Sequence, residues 1–396
     1  MNQYLQDALD LAPALKAIKE DLHRHPELSF QEVRTTKIIQ DQLLAMGLHL
    51  VDVGMETGAA AILFGDQPGP AVALRADIDA IAQQESPAHG GVVSEEPGKM
   101  HACGHDFHTA ALLGAARILA NHRAELAGQV YFLFQPAEEV TQGAAALVRH
   151  GLWDRLPQTP TGIFALHTRP ELPSGQVAVV PGGIMAGKCH FSIQLTGVAG
   201  HGGAPHQCVD VITAGAAIVD AVQTIPSRCT DPREPLVCAV LSIHAGTPEN
   251  FVPETLTMTG AIRAHSDQVM EETREHLRRL TEGIAQAYRC RCSLEFIPQV
   301  PVTYNGPAMT ALATQAAAAV VGSENIRAPK GDMASEDFSV LTQTAPGFFY
   351  WLGTGFHDRD NPGWHHDCFR TDDDALPIGA ALLAQSAVTA LTNPIV

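Results

Sequence analysis

Cysteine is scarce in this chain, with 8 in 396 residues, and no two are spaced as Cys-x-x-Cys. The closest pair, Cys290 and Cys292, lacks the spacing of a zinc ribbon or a thioredoxin-type redox site. All the thiols except Cys103 are read as reduced, mostly buried small hydrophobes. Basic residues are also few. Lys and Arg number 25 against 43 Asp and Glu, a net charge of −18, so neither nucleic acid nor an anionic membrane surface would gain from phosphate neutralisation here. No uninterrupted apolar run approaches the ~20 residues of a spanning helix, and MNQYLQDALD has neither the basic flank nor the apolar stretch of a signal peptide. The expectation is a soluble, cytoplasmic protein acting on a small molecule. Internal repeats, low-complexity tracts and heptads are missing. So is any serine in G-x-S-x-G, which sets aside a serine hydrolase despite the HGG at 201–203. The H-x-E and P-C-x-x-C pair of the zinc deaminases is lacking too.

What is present is ample core material: 45% of residues are hydrophobic and 17% charged, which excludes disorder. At about 150 residues per domain the length allows two or three domains. Helical periodicity over 5–24 and 31–46 is followed by short apolar strands at 59–64, 71–76, 130–134 and 163–167, with a helix over 109–121. That alternation predicts an α/β fold with a mixed, partly parallel sheet covered by helices. After Pro181-Gly182-Gly183 the pattern becomes strand, helix, strand, strand, helix, strand, ending near 297, a βαββαβ order of ferredoxin-like α+β type. The α/β pattern then resumes with a helix over 307–321, a strand over 347–352 and a closing helix over 373–392. The expected organisation is a catalytic domain of residues 1–185 and 298–396 with an inserted lid or dimerisation domain, 186–297.

Metal-ligand side chains recur at the tips of the first domain's strands: Cys103 and His105 in MHACGHD, Glu138 and Glu139 in LFQPAEE, His167 in FALH. In open α/β sheets chemistry sits beyond the carboxyl ends of the strands. Thiolate, imidazole and carboxylate together suit first-row divalent metals rather than calcium or magnesium. A buried-looking strand that runs through a proline turn into two carboxylates needs a cation for its charge. Adjacent glutamates allow one on the metal and one free to take a proton. Asp77 and Asp106 lie where carboxylates could orient imidazoles.

The ordered motifs DLHRHPELSFQE (21–32), LRADIDA (74–80), MHACGHDFHTAALLGAA (100–116), FQPAEE (134–139), GHGGAPH (200–206), NFVPETLTMTGAIR (250–263), SEDF (335–338) and DDDALPIGAALL (372–383) span nearly the whole chain. Together they resemble the M20 metallopeptidases and aminoacylases, in the amidohydrolase branch with hippurate and auxin-conjugate hydrolases. The resemblance implies two divalent ions per subunit, zinc, manganese, cobalt or nickel, held by Cys103, His105, Glu139, His167 and a C-terminal histidine. Counting back from Ala375-Leu376-Pro377 places that histidine on His365, with His366 adjacent and Asp367 where the family has proline. It implies Glu138 as general base, His201 of the inserted domain as oxyanion donor, often to a partner subunit, and Asn250 and Arg263 as holders of a substrate carboxylate. The implied reaction is cleavage of an N-acyl amino acid to a carboxylic acid and a free amino acid, by a homodimer or larger homo-oligomer. A dipeptidase or carboxypeptidase on the same scaffold is the alternative; a non-catalytic metal-binding protein would be expected to lack several of these residues. The chain departs from the family at Ala80-Ile81-Ala82, where the family has Ala-Leu-Pro, so the nearby loop is expected to be shaped differently.

Overall fold

A computed structural model describes residues 2–247 and 250–394. The chain forms two units: Met1–Gly182 with Tyr304–Lys330 and Asp337–Val396, and Gly183–Thr303 with Gly331–Glu336.

The first unit is built on an eight-stranded sheet. Its strands run in the order His49–Val51, Ala59–Phe64, Ala127–Gln135, Gln67–Asp77, Ile163–Pro173, Gly347–Gly355, Val177–Ala178, Ile326–Arg327. Four neighbours at its centre, Ala127–Gln135, Gln67–Asp77, Ile163–Pro173 and Gly347–Gly355, pair in parallel, whereas Ala59–Phe64 joins antiparallel. Central parallel strands are buried on both faces, which is why they read as unbroken apolar runs rather than as alternation. The whole of GFFYWLGTG, Gly347–Gly355, is buried. The mixed, partly parallel sheet expected from the sequence is the one observed. Helices His105–Asn121 and Ala375–Thr392 pack on each other and on Gln67–Asp77. Ala375–Thr392 is apolar and long enough to cross a membrane by length and composition, yet 78% of it is buried among the unit's other elements, as a core helix should be.

The second unit has a four-stranded antiparallel sheet in the order Leu236–Ala245, Thr255–Ala264, Gly187–Thr196, Arg291–Val300. Helices Val211–Val222 and Asp267–Ala287 pack on each other and on this sheet, burying Phe191, Ile193, Leu195, Ile218, Met258 and Leu277. This is the ferredoxin-like insert that the βαββαβ order predicts.

Candidate active site

Five pieces of chain converge near the carboxyl end of the parallel strands. The strand Gln67–Asp77 ends on Asp77, Ala127–Gln135 runs through Pro136 into Glu138 and Glu139, and Ile163–Pro173 carries His167. Cys103 and His105 flank Gly104, the residue before helix His105–Asn121, whose φ of +91° favours glycine. A Cβ there would also lie 2.8 Å from the Thr168 hydroxyl, so glycine lets both neighbours turn to one place. The C-terminal loop supplies His365, whose N–H donates to the Ala102 carbonyl at 2.9 Å.

The donor atoms form overlapping groups, each with all its atoms within 4.8 Å: Cys103, His105 and His167; Cys103, Glu139 and His365; His105, Glu138 and Glu139. Cys103 Sγ lies 3.4 Å from His167 Nε2, and Glu139 places Oε1 3.8 Å from His105 Nε2 and Oε2 3.3 Å from His365 Nε2. Cys103, His105 and Glu139 therefore each belong to two groups, an overlap that suits two neighbouring ions. His105 Nδ1 faces the Asp79 carbonyl at 2.9 Å, and His167 Nδ1 faces the Thr168 carbonyl at 2.9 Å. Each imidazole donates from Nδ1 and turns the Nε2 lone pair into the cluster, the orientation a metal-binding histidine needs. His105 Nε2 and Glu139 Oε1 are buried and have no hydrogen-bond partner. Orphaned buried polar atoms are costly, and a divalent cation between them is the partner their chemistry fits. Burial lowers the His105 pKa, but Asp77 and Asp79 raise it further, to well above the imidazole range. A cation would compete with that proton, so loading releases protons. Of the adjacent histidines, His366 is exposed and accepts the Cys368 N–H at Nδ1; His365 is the one beside Glu139.

Around this cluster lie further polar groups, of which the sequence singled out Asp77 and Asp106 but not Asp79, His108 or Thr168. Asp79 accepts the N–H groups of both Glu138 and Glu139, at 3.1 Å each. Asp77 binds His108 Nδ1 at 2.6 Å and Arg75 Nη1 at 3.0 Å, and its Oδ2 stands 3.6 Å from His105 Nε2. His108 in turn accepts the Thr168 N–H at 2.9 Å, which fixes the strand beside His167. Asp106 holds His23 at 2.8 Å rather than an imidazole of the cluster. The signal for Asp79 was its place two residues after Asp77 in LRADIDA; His108 and Thr168 carried none.

In the second unit, His201 pairs with Phe251 across two short strands, and the Asn250 carbonyl accepts the Gly202 N–H at 3.0 Å. The two residues are thus neighbours. His201 Nδ1 accepts the Gly203 N–H at 2.9 Å, which places the ring proton on Nε2. Arg263 lies on Thr255–Ala264 and donates from Nη1 to the Met333 carbonyl at 2.7 Å and the Ser335 hydroxyl at 3.3 Å.

The sequence profile of Peptidase family M20/M25/M40 matches residues 73–389. An N-acetylcysteine deacetylase of Bacillus subtilis is 37% identical over 375 residues, 94% of this chain and 96% of that protein. A thermostable carboxypeptidase of Saccharolobus solfataricus is 34% identical over 390 residues, 96% of each. The crystal structure of a dinuclear metal-binding peptidase of the M20 family from Bacillus subtilis superposes with a TM-score of 0.85 at 34% identity, covering 98% of this chain and 99% of that one. The chain belongs to the M20/M25/M40 peptidase family and is a metal-dependent hydrolase of amide C–N bonds.

Proposed function

We propose that this hydrolase cleaves N-acyl amino acids, releasing a carboxylic acid and a free amino acid, with Cys103, His105, Glu139, His167 and His365 holding two ions drawn from zinc, manganese, cobalt and nickel. The observation that carries the reading is the split between adjacent glutamates on one fixed turn. Glu139 reaches His105 and His365 with separate oxygens, while Glu138, buried beside it, has Oε2 4.0 Å from His105 Nε2. When bound, the ions would acidify a water and polarise the scissile carbonyl. Glu138 takes the proton from the attacking water and passes it to the leaving nitrogen. His201 donates from Nε2–H to the oxyanion, and Asn250 and Arg263 hold the substrate carboxylate. The similarity to a deacetylase supports an acyl substrate. The protein works as a homodimer through its inserted unit, whose edge strand Leu236–Ala245 exposes Val237, Leu241 and Ile243.

The test is a panel of N-acetyl, N-benzoyl, N-succinyl and indoleacetyl amino acids beside dipeptides, before and after chelation and reloading with Mn²⁺, Co²⁺, Ni²⁺ or Zn²⁺. Acyl conjugates should be cleaved, chelation should abolish cleavage and reloading should restore it. Turnover of dipeptides alone would replace this reading with a dipeptidase, and full activity in protein shown metal-free by elemental analysis would end it.

A further inference from the structure

The motif HPELSFQE, residues 25–32, has no part in the chemistry above, yet its last residue is fully buried. Glu32 precedes helix Val33–Ala45, where an acidic side chain commonly caps, but it makes no capping hydrogen bond. Its Oε1 instead accepts the N–H of Ala137 at 2.8 Å, 105 residues away. Ala137 begins a run of three peptide N–H groups, those of Ala137, Glu138 and Glu139, that all end on buried carboxylates, the first on Glu32 and the next two on Asp79.

The turn needs such a hold. Ala137 has φ +54°, in the left-handed region where a Cβ crowds the backbone and alanine is disfavoured. The chain is also pinched: a Cβ on Gly143 would fall 1.5 Å from the Pro136 carbonyl oxygen, and the Gln142 and Gly143 N–H groups both donate to the Ala137 carbonyl, at 3.3 and 3.1 Å. Released from Glu32, Ala137 would relax toward negative φ and swing the two residues that follow. Burial and the neighbouring Asp79 raise the Glu32 carboxyl to about 7, so keeping a carboxyl here is unfavourable unless it is used.

We propose that Glu32 is a positioning residue: by holding Ala137 in its left-handed conformation it sets the direction of the Glu138 and Glu139 side chains. The inference rests on the roles given to those two glutamates above. Glu32 itself touches neither substrate nor ions.

Three variants test it. Glu32→Gln keeps an acceptor oxygen at full reach, Glu32→Asp keeps the carboxyl but falls short by one methylene, and Ile39→Val loosens the core under the same helix while leaving the turn's own residues in place. Two readouts apply: hydrogen exchange of the 135–140 segment in metal-free protein, and kcat and KM at saturating metal. Glu32→Asp should exchange faster over 137–139 and lose roughly 10- to 100-fold in kcat, the scale of a misplacement of about 1 Å, with KM little changed. Glu32→Gln should stay close to wild type in both, and Ile39→Val should lower thermal stability alone. Wild-type exchange and kcat in Glu32→Asp would overturn the proposal, as would equal damage from Glu32→Gln or an equal kcat loss in Ile39→Val. Glu138→Gln, run in parallel, separates the readings. Full activity there would refute the general-base assignment, while exchange in metal-free protein would still judge Glu32.

Discussion

The two units bury different things. The first encloses Glu32, Arg75, Asp77, Asp79, Glu85, His101, His105, Asp106, His108, Glu138, His167 and Asp337, whereas between Gly183 and Thr303 the buried polar residues among those described are threonines. Burying a charge is expensive unless it is paired or binds a cation. The first unit does so repeatedly and gathers several of these groups around one cluster, whereas the second buries a single described carboxylate, Glu336. The part proposed for the inserted unit rests on exposed groups instead: His201 on a short strand, Asn250 just before that strand's partner Phe251–Val252, and the apolar edge at Leu236–Ala245.

The contrast breaks most directly at the paired glutamates. Glu138→Gln should cost about 10² to 10⁴ in kcat, the usual worth of a general base, with metal content nearly intact. Glu139→Ala should lose metal, measured by elemental analysis of the same preparations. The opposite pattern would exchange the two roles. Next comes the one residue of the inserted unit given a catalytic part. Its ring proton is fixed on Nε2 by the Gly203 N–H at Nδ1, the tautomer a donor requires. His201→Ala should lower kcat by about 10² to 10³, roughly 3 to 4 kcal/mol, with bound metal and dimer content unchanged. Near-normal kcat in an intact dimer would leave the inserted unit with substrate binding alone.

A smaller effect tests whether charge burial in the first unit also carries stability. His23 is held between Asp106 at 2.8 Å and Glu85 at 2.9 Å. Burial lowers its pKa, but the two carboxylates raise it more, to about 9 from 6.5. A raised folded-state pKa contributes stability that is whole below about 6.5 and is lost as pH climbs through 9. The loss is on the order of 3 kcal/mol, from the ~1.4 kcal/mol per unit of linkage. Denaturant unfolding across pH 6 to 10 should show this decline, and His23→Gln should flatten it. An equally steep decline in the variant would assign the pH dependence elsewhere.

The sequence disclosed the fold wherever an apolar run had a length and a period. The strand Ala59–Phe64 and the helix Pro307–Val321 coincide with the ranges read from pattern. It was silent where an element is too short to show one, as for helix Gly143–Arg149 and strand Val177–Ala178. Helix His105–Asn121 starts four residues before its periodicity does, because its first turn carries three buried polar residues, His105, Asp106 and His108. The cluster itself was readable because its thiol, imidazole and carboxylate groups recur in short polar motifs next to apolar elements. What surrounds them was less so: beyond the place of Asp79 in LRADIDA, the partners His108, Thr168 and Glu32 act through backbone groups or through one another, and such contacts are fixed by tertiary approach, which leaves no period in the chain.

The smallest effect on folding should fall on the inserted unit's edge. Leu241 is 69% exposed, on a strand with a partner on one side only, and the pairing shifts register between Val240 and Ser242, at the position it occupies. An unpaired edge bearing Val237, Leu241 and Ile243 invites association, and a second copy of the same strand would complete its hydrogen bonds and cover those side chains. Leu241→Lys places a charge in that row without removing a buried contact, so the unfolding free energy of the chain itself should move by no more than about 0.5 kcal/mol. Association should respond instead: light scattering at micromolar concentration should find the wild type dimeric and the variant shifted to monomer. A dimer that persists in Leu241→Lys would place the interface elsewhere, and a monomeric wild type would remove the interface role from the inserted unit and leave His201 to act within its own chain.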